Sequence, residues 1–136
     1  MRKSCISILL IGILFCSCTK NENVYNITKN SKLLYSNNGR WQLSFVALNF
    51  VEQPLTISQR LFVKHYTSDG KFSDSDGLNG TWTLPSQDTL VENYINFSSG
   101  IAVTQKYKIN TLSASQLNVT YVVSGAEITA NYNAIP

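Results

Sequence analysis

Apolar and polar residues alternate along most of the chain after Gly39. The first alternating segment places Trp41, Leu43 and Phe45 on one side and polar residues on the other. Three further segments follow the same rule, at 103–110, 117–123 and 126–133. Such alternation is typical of antiparallel strands with one buried and one solvated face. No segment after the apolar N terminus shows a convincing helical stripe, so the chain is predicted to be all-β.

Residues suited to tight turns separate the predicted strands. Asp69-Gly70 and Ser124-Gly125 favour hairpin turns, because glycine accepts positive φ. Further turns are expected at 85–88 and 113–115. A meander of about eight short strands leaves unpaired edges unless it closes, so we predict a small antiparallel up-and-down β-barrel for residues 33–136. Several strands are shorter than the roughly 9–11 residues of a membrane-spanning barrel, which argues against that alternative.

The N terminus has the layout of a secretory signal peptide. Arg2 and Lys3 give it a positive start, residues 6–15 form an apolar run, and Cys18 follows shortly after that run. A helix that spans a bilayer needs about 20 apolar residues, so the run is too short for the alternative of a transmembrane anchor. We therefore predict that residues 1–17 are a signal peptide, removed from the mature chain.

The end of this leader resembles a bacterial lipobox, the motif that precedes the lipidated cysteine of envelope lipoproteins. In Phe15-Cys16-Ser17-Cys18, Ser17 is the small residue before the cut and Cys18 is the acceptor. Cys16 is the poorer acceptor, because the bulky Phe15 would then lie at the cut. The resemblance implies a thioether-linked lipid on Cys18 and acyl chains such as palmitate, which together give stable anchoring. It implies a protein of the bacterial cell envelope, held to a membrane that we expect to be the outer membrane.

Residues 18–32 are polar, rich in asparagine and lysine, and without a recognisable period. They are predicted to form a flexible tether that begins with the lipidated Cys18. A flexible coil of this length reaches roughly 20 Å from the membrane. The apolar residues 33–35 interrupt this polarity and are expected to form a short turn that packs against the domain.

Composition excludes several classes of function. The formal net charge of +3 includes Arg2 and Lys3 of the leader, and without them nine lysines and arginines stand against eight acidic residues. That balance provides no basic surface for nucleic acid and no polybasic segment for anionic lipids. All three cysteines lie within the first 18 residues, so the domain has no disulfide and no thiolate for metal binding or catalysis. We expect the domain to fold as a monomer.

Residues with catalytic or metal-binding chemistry are few and widely spaced. His65 is the single histidine, and no acid is positioned to orient it as the base of a catalytic triad. His65 occupies the same alternating positions as Leu61 and Val63, which favours a side chain that points into the barrel. The aspartate cluster at 69–76 lacks the bidentate glutamate of a calcium loop and is interpreted as solvated turn residues. We therefore predict no metal site, no cofactor and no enzymatic activity.

Several short motifs occur in order along the predicted strands. The first strand begins with Gly39-Arg40-Trp41, a G-x-W sequence, and later motifs follow at 68–72, 80–84, 88–90 and 107–121. Together and in this order they resemble bacterial lipocalin-like domains, whose first strand starts with G-x-W. The resemblance implies an eight-stranded up-and-down barrel with an apolar interior, closed at one end by Trp41. The arginine that crosses this tryptophan in better-known members is absent from 126–132, so that contact is not expected.

Large aromatic residues dominate the predicted inward positions. They are Trp41, Phe45, Trp82, Tyr94, Tyr107, Tyr121 and Tyr132. Trp41 and Trp82 are interpreted as structural residues of the core. An eight-stranded barrel is just wide enough to be filled by side chains or to hold one small ligand. Two functions therefore stay open: binding of a small apolar ligand in or at the mouth of the barrel, and non-enzymatic binding of a protein or glycan through the loops of a filled barrel.

Strand order predicts where a ligand would bind. The loop 49–59 precedes the second strand and is therefore expected at the open end, opposite Trp41. It carries apolar residues that could close over a ligand, or that could instead pack as extra core. The residues predicted to contact a ligand are Phe50, Leu55, Ile57, His65, Tyr107 and Tyr121.

Overall fold

A computed structural model describes residues 22–136, with side chains from residue 27 onward. This part of the chain is all-β apart from its helical segments, as predicted. The strands are β1 (Arg40–Leu48), β2 (Val51–Gln53), β3 (Val63–Tyr66), β4 (Lys71–Asp74), β5 (Asn79–Ser86), β6 (Thr89–Ile95), β7 (Ala102–Leu112), β8 (Gln116–Val123) and β9 (Ala126–Ala134). The helical segments are α1 (Glu22–Tyr35), a 3₁₀ turn (Asn37–Gly39) and α2 (Ile57–Arg60). The predicted signal peptide 1–17, the lipidation site Cys18 and the first tether residues lie outside the described residues.

The sheet closes into a barrel because its first strand pairs with its last. β1 pairs with β9 from Trp41 opposite Ala134 to Leu48 opposite Ile128. On its other edge, β1 pairs with β3 near its N-terminal end and with β2 near its C-terminal end. β2 and β3 therefore share one position in the wall, and the nine strands form an eight-stranded antiparallel barrel. This architecture confirms the predicted fold class and is compatible with a lipocalin-like fold.

One end of the barrel is closed where β1 begins. Gly39 has a φ of 63°, and a Cβ atom there would lie 1.9 Å from the carbonyl oxygen of Tyr66, so only glycine fits. The chain then enters β1 with Trp41 in the interior, where this side chain is 1 % exposed. Its indole N–H donates a hydrogen bond of 2.7 Å to the carbonyl oxygen of Leu34, which ties α1 to the barrel.

Trp82, on β5, belongs to the same closed end. Its indole N–H donates a hydrogen bond of 3.1 Å to the carbonyl oxygen of Thr67, in the β3–β4 turn. Its ring lies edge-on to that of Tyr66, with centroids 6.0 Å apart, and 6.4 Å from the ring of Tyr35 on α1. The β3–β4 turn is therefore at the closed end, whereas the β1–β2 turn lies at the open end.

Residues 22–32, predicted to be part of a flexible tether over 18–32, are instead helical as part of α1. Ile27, Leu34 and Tyr35 recur at helical spacing, and all three pack against the barrel core. This apolar stripe is short and lies within a polar segment, so the sequence pattern alone does not reveal it. Packing against the barrel, rather than intrinsic preference, explains why these residues are helical.

Helix α1 lies across the closed end of the barrel. The side chain of Asn30 donates a hydrogen bond of 2.6 Å to the carbonyl oxygen of Gln87, in the β5–β6 turn. Residues 33–35, expected to form a short turn, are the last turn of this helix and do pack against the domain. Among the helices of residues 22–136, none is long and apolar enough to cross a membrane.

A β-bulge between Leu43 and Phe45 reverses the predicted orientation of Phe45. Phe45 pairs with Asn131, and Asn131 lies between the buried residues Ala130 and Tyr132 of β9. The extra residue in β1 shifts the parity of the strand by one, so Phe45 points out of the barrel. The prediction that Phe45 faces inward is therefore wrong.

Side chains fill the interior of the closed half of the barrel. Each of these residues is less than a tenth exposed: Leu34, Trp41, Leu43, Tyr66, Phe72, Trp82, Leu84, Leu90, Tyr107, Ile109, Leu117, Val119, Ala130 and Tyr132. Removal of this apolar surface from water, at about 25 cal/mol per Å², is the main force that holds the barrel together.

Candidate functional site

Two charged residues occupy inward positions of otherwise apolar strands. On β3 the buried residues are Lys64 and Tyr66, and on β6 they are Leu90 and Glu92. Lys64 is 6 % exposed and Glu92 is 0 % exposed. A buried charge without a partner costs several kcal/mol, so the geometry around these two side chains decides whether the interior is stable.

Lys64 and Glu92 form an ion pair inside the barrel that two tyrosines complete. The Lys64 ammonium lies 2.7 Å from both carboxylate oxygens of Glu92 and donates a third hydrogen bond of 3.0 Å to the hydroxyl of Tyr107. The hydroxyls of Tyr66 and Tyr107 donate to Oε1 and Oε2 of Glu92, at 2.5 and 2.8 Å. Every N–H of the ammonium and both carboxylate oxygens are therefore engaged, which makes burial of the charges tolerable.

Aromatic rings surround this ion pair. The Lys64 ammonium lies 4.7 Å from the ring centroid of Tyr107 and 5.6 Å from that of Phe72, within the range of cation–π attraction. Burial raises the pKa of Tyr66 and of Tyr107 well above the ordinary value, and the charge of Glu92 raises both further. Both hydroxyls are therefore protonated over the physiological pH range and act as hydrogen-bond donors to the carboxylate.

Toward the open end, the inward residues are only half-buried. Tyr94 faces Val103 across β6 and β7, and Tyr121 faces Ile128 across β8 and β9. All four have intermediate exposure, as has Gln105, whereas the inward residues of the closed half are buried. The open half of the interior, which these half-buried residues line above the buried ion pair, is referred to as the cup.

Three tyrosines of the interior have hydroxyl groups without a protein partner. Tyr94, Tyr121 and Tyr132 make no hydrogen bond through these groups to any residue of 22–136. Tyr132 is 4 % exposed, and in the same part of the chain every buried polar side-chain atom has a partner, so its hydroxyl must lie at accessible surface. Burial raises the pKa of Tyr132, and Tyr121 and Glu92 raise it further. Tyr132 shares the inward parity of Ile128 and Ala130 on β9, so its ring faces the interior of the barrel.

The structure separates the residues predicted to contact a ligand. Tyr107 lies at the floor of the cup and Tyr121 in its wall, with ring centroids 4.9 Å apart. Phe50, in the β1–β2 turn, and Ile57, on α2, are 84 % and 81 % exposed and take no part in the interior. Leu55 is half-buried and packs against the barrel. The predicted set is therefore not one site, and only its two tyrosines line the cup.

His65 does not point into the barrel, contrary to the prediction from parity. Strand β3 begins at Val63, so Leu61 is not part of it, and Lys64 and Tyr66 are its buried residues. His65 lies between these two and therefore on the outer face. The prediction fails because the ion pair favours burial of Lys64, and burial of Lys64 turns its neighbours outward.

Residues 54–62, which include the second half of the predicted mouth loop, lie beside the wall rather than over the mouth. Gln42, on the outer face of β1, donates a hydrogen bond of 2.7 Å to the carbonyl oxygen of Arg60. A groove of about 380 Å³ between this segment and β1 is lined in part by Phe45 and Leu55. The segment therefore covers the outside of β1, and the expected lid over a ligand is not formed.

The sequence pattern identifies neither Lys64 nor Glu92 as an interior residue. Each is a lone charged residue in the inward row of its strand, beside Tyr66 and Leu90 respectively. One cation and one anion at inward positions of two apolar strands are the signal that could identify such a pair. The signal is usable only when strand parity is known.

Comparison with known proteins does not identify a family. No family model matches the chain, and no curated protein matches it. Within residues 22–136, no three histidine, cysteine or acidic side chains come together in a way that could hold a metal ion. A function must therefore be inferred from the contacts inside and around the barrel.

Proposed function

We propose that this chain is a non-enzymatic binding protein of the bacterial cell envelope, anchored to a membrane through a lipid on Cys18. Its barrel takes up a small apolar ligand in the open half. The observation that carries the proposal is the contrast between a closed half filled by buried side chains and an open half whose inward residues are half-buried. Val103 and Ile128, with the rings of Tyr94 and Tyr121, give the cup mostly apolar walls, the usual composition of a small-molecule site.

The ion pair of Lys64 and Glu92 limits the depth to which a ligand can enter. Its hydrogen bonds are all made within the barrel. Displacement of either side chain would leave a buried charge unpaired, at a cost of several kcal/mol. A ligand therefore stops above the pair, and it is either small or only partly enclosed.

Exposed apolar residues surround the opening. They lie on the hairpin tips β1–β2, β6–β7 and β8–β9, which are all at the open end. They are Leu48, Phe50, Val51, Ile95, Phe97, Ile101, Val122 and Val123. Such a patch is consistent with the entrance to an apolar site. It also supports a second function, in which the tips bind another envelope protein or a glycan and the cup holds no ligand.

Nile red, a neutral dye that fluoresces in apolar surroundings, is expected to bind the mature chain carrying Cys18→Ser. Val103→Glu should weaken binding by about tenfold or more, because a carboxylate in the cup loses solvation when the dye enters. Fluorescence titration measures both affinities.

The matched control is Thr104→Glu, which places the same charge one residue further along β7, on the exposed outer face. This variant should bind the dye as the parent chain does. Equal weakening by both substitutions would contradict a site in the cup. A folded parent chain that binds no dye would contradict the proposal and favour the second function.

Lipidation is expected at Cys18, because Ser17 and the apolar run precede it as in a lipobox. Metabolic labelling with a fatty-acid analogue in a bacterial host should mark the wild-type chain and the control Cys16→Ser. Cys18→Ser should lose the label and leave the membrane fraction. Label that persists in Cys18→Ser would place the anchor elsewhere or show that the chain carries none.

A further inference from the structure

The cup contains hydrogen-bonding groups that the protein itself does not use. The hydroxyl of Tyr132 has no partner among the described residues, although the side chain is only 4 % exposed. The hydroxyls of Tyr94 and Tyr121 are also unpartnered within residues 22–136. A hydroxyl that reaches accessible surface bonds to water when the protein supplies no partner. A polar atom of a ligand can replace that water. These groups therefore mark where a polar atom of a ligand would be held.

The charges near these tyrosines are already neutralised. Lys64 gives its three N–H groups to Glu92 and Tyr107, and each carboxylate oxygen of Glu92 receives two hydrogen bonds. A charged group of a ligand that reached the floor would find no free opposite charge there. Its desolvation would cost several kcal/mol without compensation.

Only neutral donors and acceptors are left at the floor of the cup. Burial raises the pKa of Tyr94, Tyr121 and Tyr132, so their hydroxyls are uncharged at neutral pH. The remaining charge near these tyrosines is Asp74 on β4, which lies opposite Lys64, and its Oδ1 atom already accepts the backbone N–H groups of Asp76 and Leu78. The polar groups at the floor of the cup are thus uncharged hydroxyls, and the walls above them are apolar.

We infer that the cup binds an uncharged amphiphile head-first, with a hydroxyl or carbonyl oxygen at the hydroxyls of Tyr132 and Tyr121. The apolar body of the ligand lies against Val103 and Ile128 and extends toward the rim. The inference rests on the proposed function and adds to it the charge and the orientation of the ligand. Fatty alcohols and esters belong to this class, whereas fatty acids and alkylamines, which are ionised at neutral pH, do not.

Competition against Nile red tests the inference on the mature chain carrying Cys18→Ser. The competitors are decanol, decanoate and decylammonium, which share one chain length and differ in the charge of the head. Decanol is expected to displace the dye at a concentration about tenfold lower than either ion, because only the ions lose solvation without a partner. Tyr132→Phe, which removes one hydroxyl and keeps the ring, should reduce this preference to about threefold or less.

Tyr35→Phe is the matched control, since Tyr35 lies at the closed end beside Trp82, away from the cup. It should retain the full preference for decanol. Tyr121→Phe provides a second test if Tyr132→Phe proves unfolded by circular dichroism. Equal displacement by the three competitors, or a preference that both cup variants retain, would overturn the inference while the proposed function stands. Absence of dye binding to the parent chain would overturn both.

Discussion

Replacing Glu92 with glutamine should lower the free energy of unfolding by about 3–5 kcal/mol. Glutamine has nearly the same size and can still accept a hydrogen bond from Tyr66. It leaves the Lys64 ammonium, 6 % exposed, without the carboxylate to which it is hydrogen-bonded. The ring and hydroxyl of Tyr107 compensate this charge only in part. Urea denaturation followed by circular dichroism measures the loss.

Removal of the cation as well should recover much of this loss. In the double variant Lys64→Met with Glu92→Gln, no charge is buried, and the methionine occupies the path of the lysine chain. The glutamine amide can accept from Tyr66 and donate to Tyr107, so the polar atoms keep partners. We expect at least half of the lost stability to return, since a buried ion pair can often be replaced by uncharged groups at little cost.

The exposed ion pair of Lys71 and Asp69 is the control for these variants. Its atoms are 2.9 Å apart, similar to the buried pair, but the two side chains are 72 % and 54 % exposed. Lys71→Met should leave the denaturation midpoint almost unchanged, because water screens an exposed pair. Wild-type stability in Glu92→Gln, or a double variant no more stable than the single one, would show that the buried charges are not coupled as the geometry indicates.

Much of the fold can be predicted because its determinants are local. The period of two in β1, β7, β8 and β9 identifies strands, and glycine-containing pairs such as Ser124-Gly125 identify turns. Closure follows from the cost of unpaired edges. The position of Trp41 at the closed end is implied by the G-x-W resemblance rather than by local chemistry, because the close approach of Gly39 to Tyr66 exists only in the folded barrel.

Helix α1 and the orientation of Phe45 depend on contacts that no local pattern contains. The helix is stabilised by the burial of Leu34 and by the hydrogen bond from Trp41, both of which need the finished barrel. Phe45 faces outward because a bulge adds one residue to β1. A single inserted residue reverses parity for the rest of a strand, and its position is set by pairing with β9 rather than by composition.

The candidate site is the least predictable part for the same reason. Lys64 and Glu92 are 28 residues apart, and in the sequence each taken alone is typical of a charged residue on the surface. The two charges are recognised as partners only when Lys64 and Glu92 are both known to lie at inward positions of their strands. The failure at His65 follows directly, because one strand can bury either His65 or Lys64 but not both. Sequence parity favoured the uncharged residue, and the ion pair reverses that preference.

Above about pH 10, the barrel is expected to lose roughly 4 kcal/mol of stability for each further pH unit. Burial raises the pKa of Tyr66, Tyr107 and Tyr132 well above the ordinary value of 10.0. An unfolded chain releases these protons near pH 10, whereas the folded chain retains them. The stabilisation is therefore complete below pH 10 and is lost as the pH rises toward the folded pKa values, at about 1.4 kcal/mol per tyrosine and pH unit.

Alkaline titration monitored by tyrosinate absorbance and by circular dichroism tests this expectation. The absorbance of the buried tyrosines should rise together with the loss of β signal, because they ionise only when the barrel opens. Tyr132→Phe should have nearly wild-type stability at neutral pH, since its hydroxyl has no partner within residues 22–136. Above pH 10, the stability that this variant loses per pH unit should be smaller by about 1.4 kcal/mol than in the wild type, because its folded state retains one proton fewer. Full ionisation of all seven tyrosines with the β signal intact would show that the barrel interior does not hold these protons.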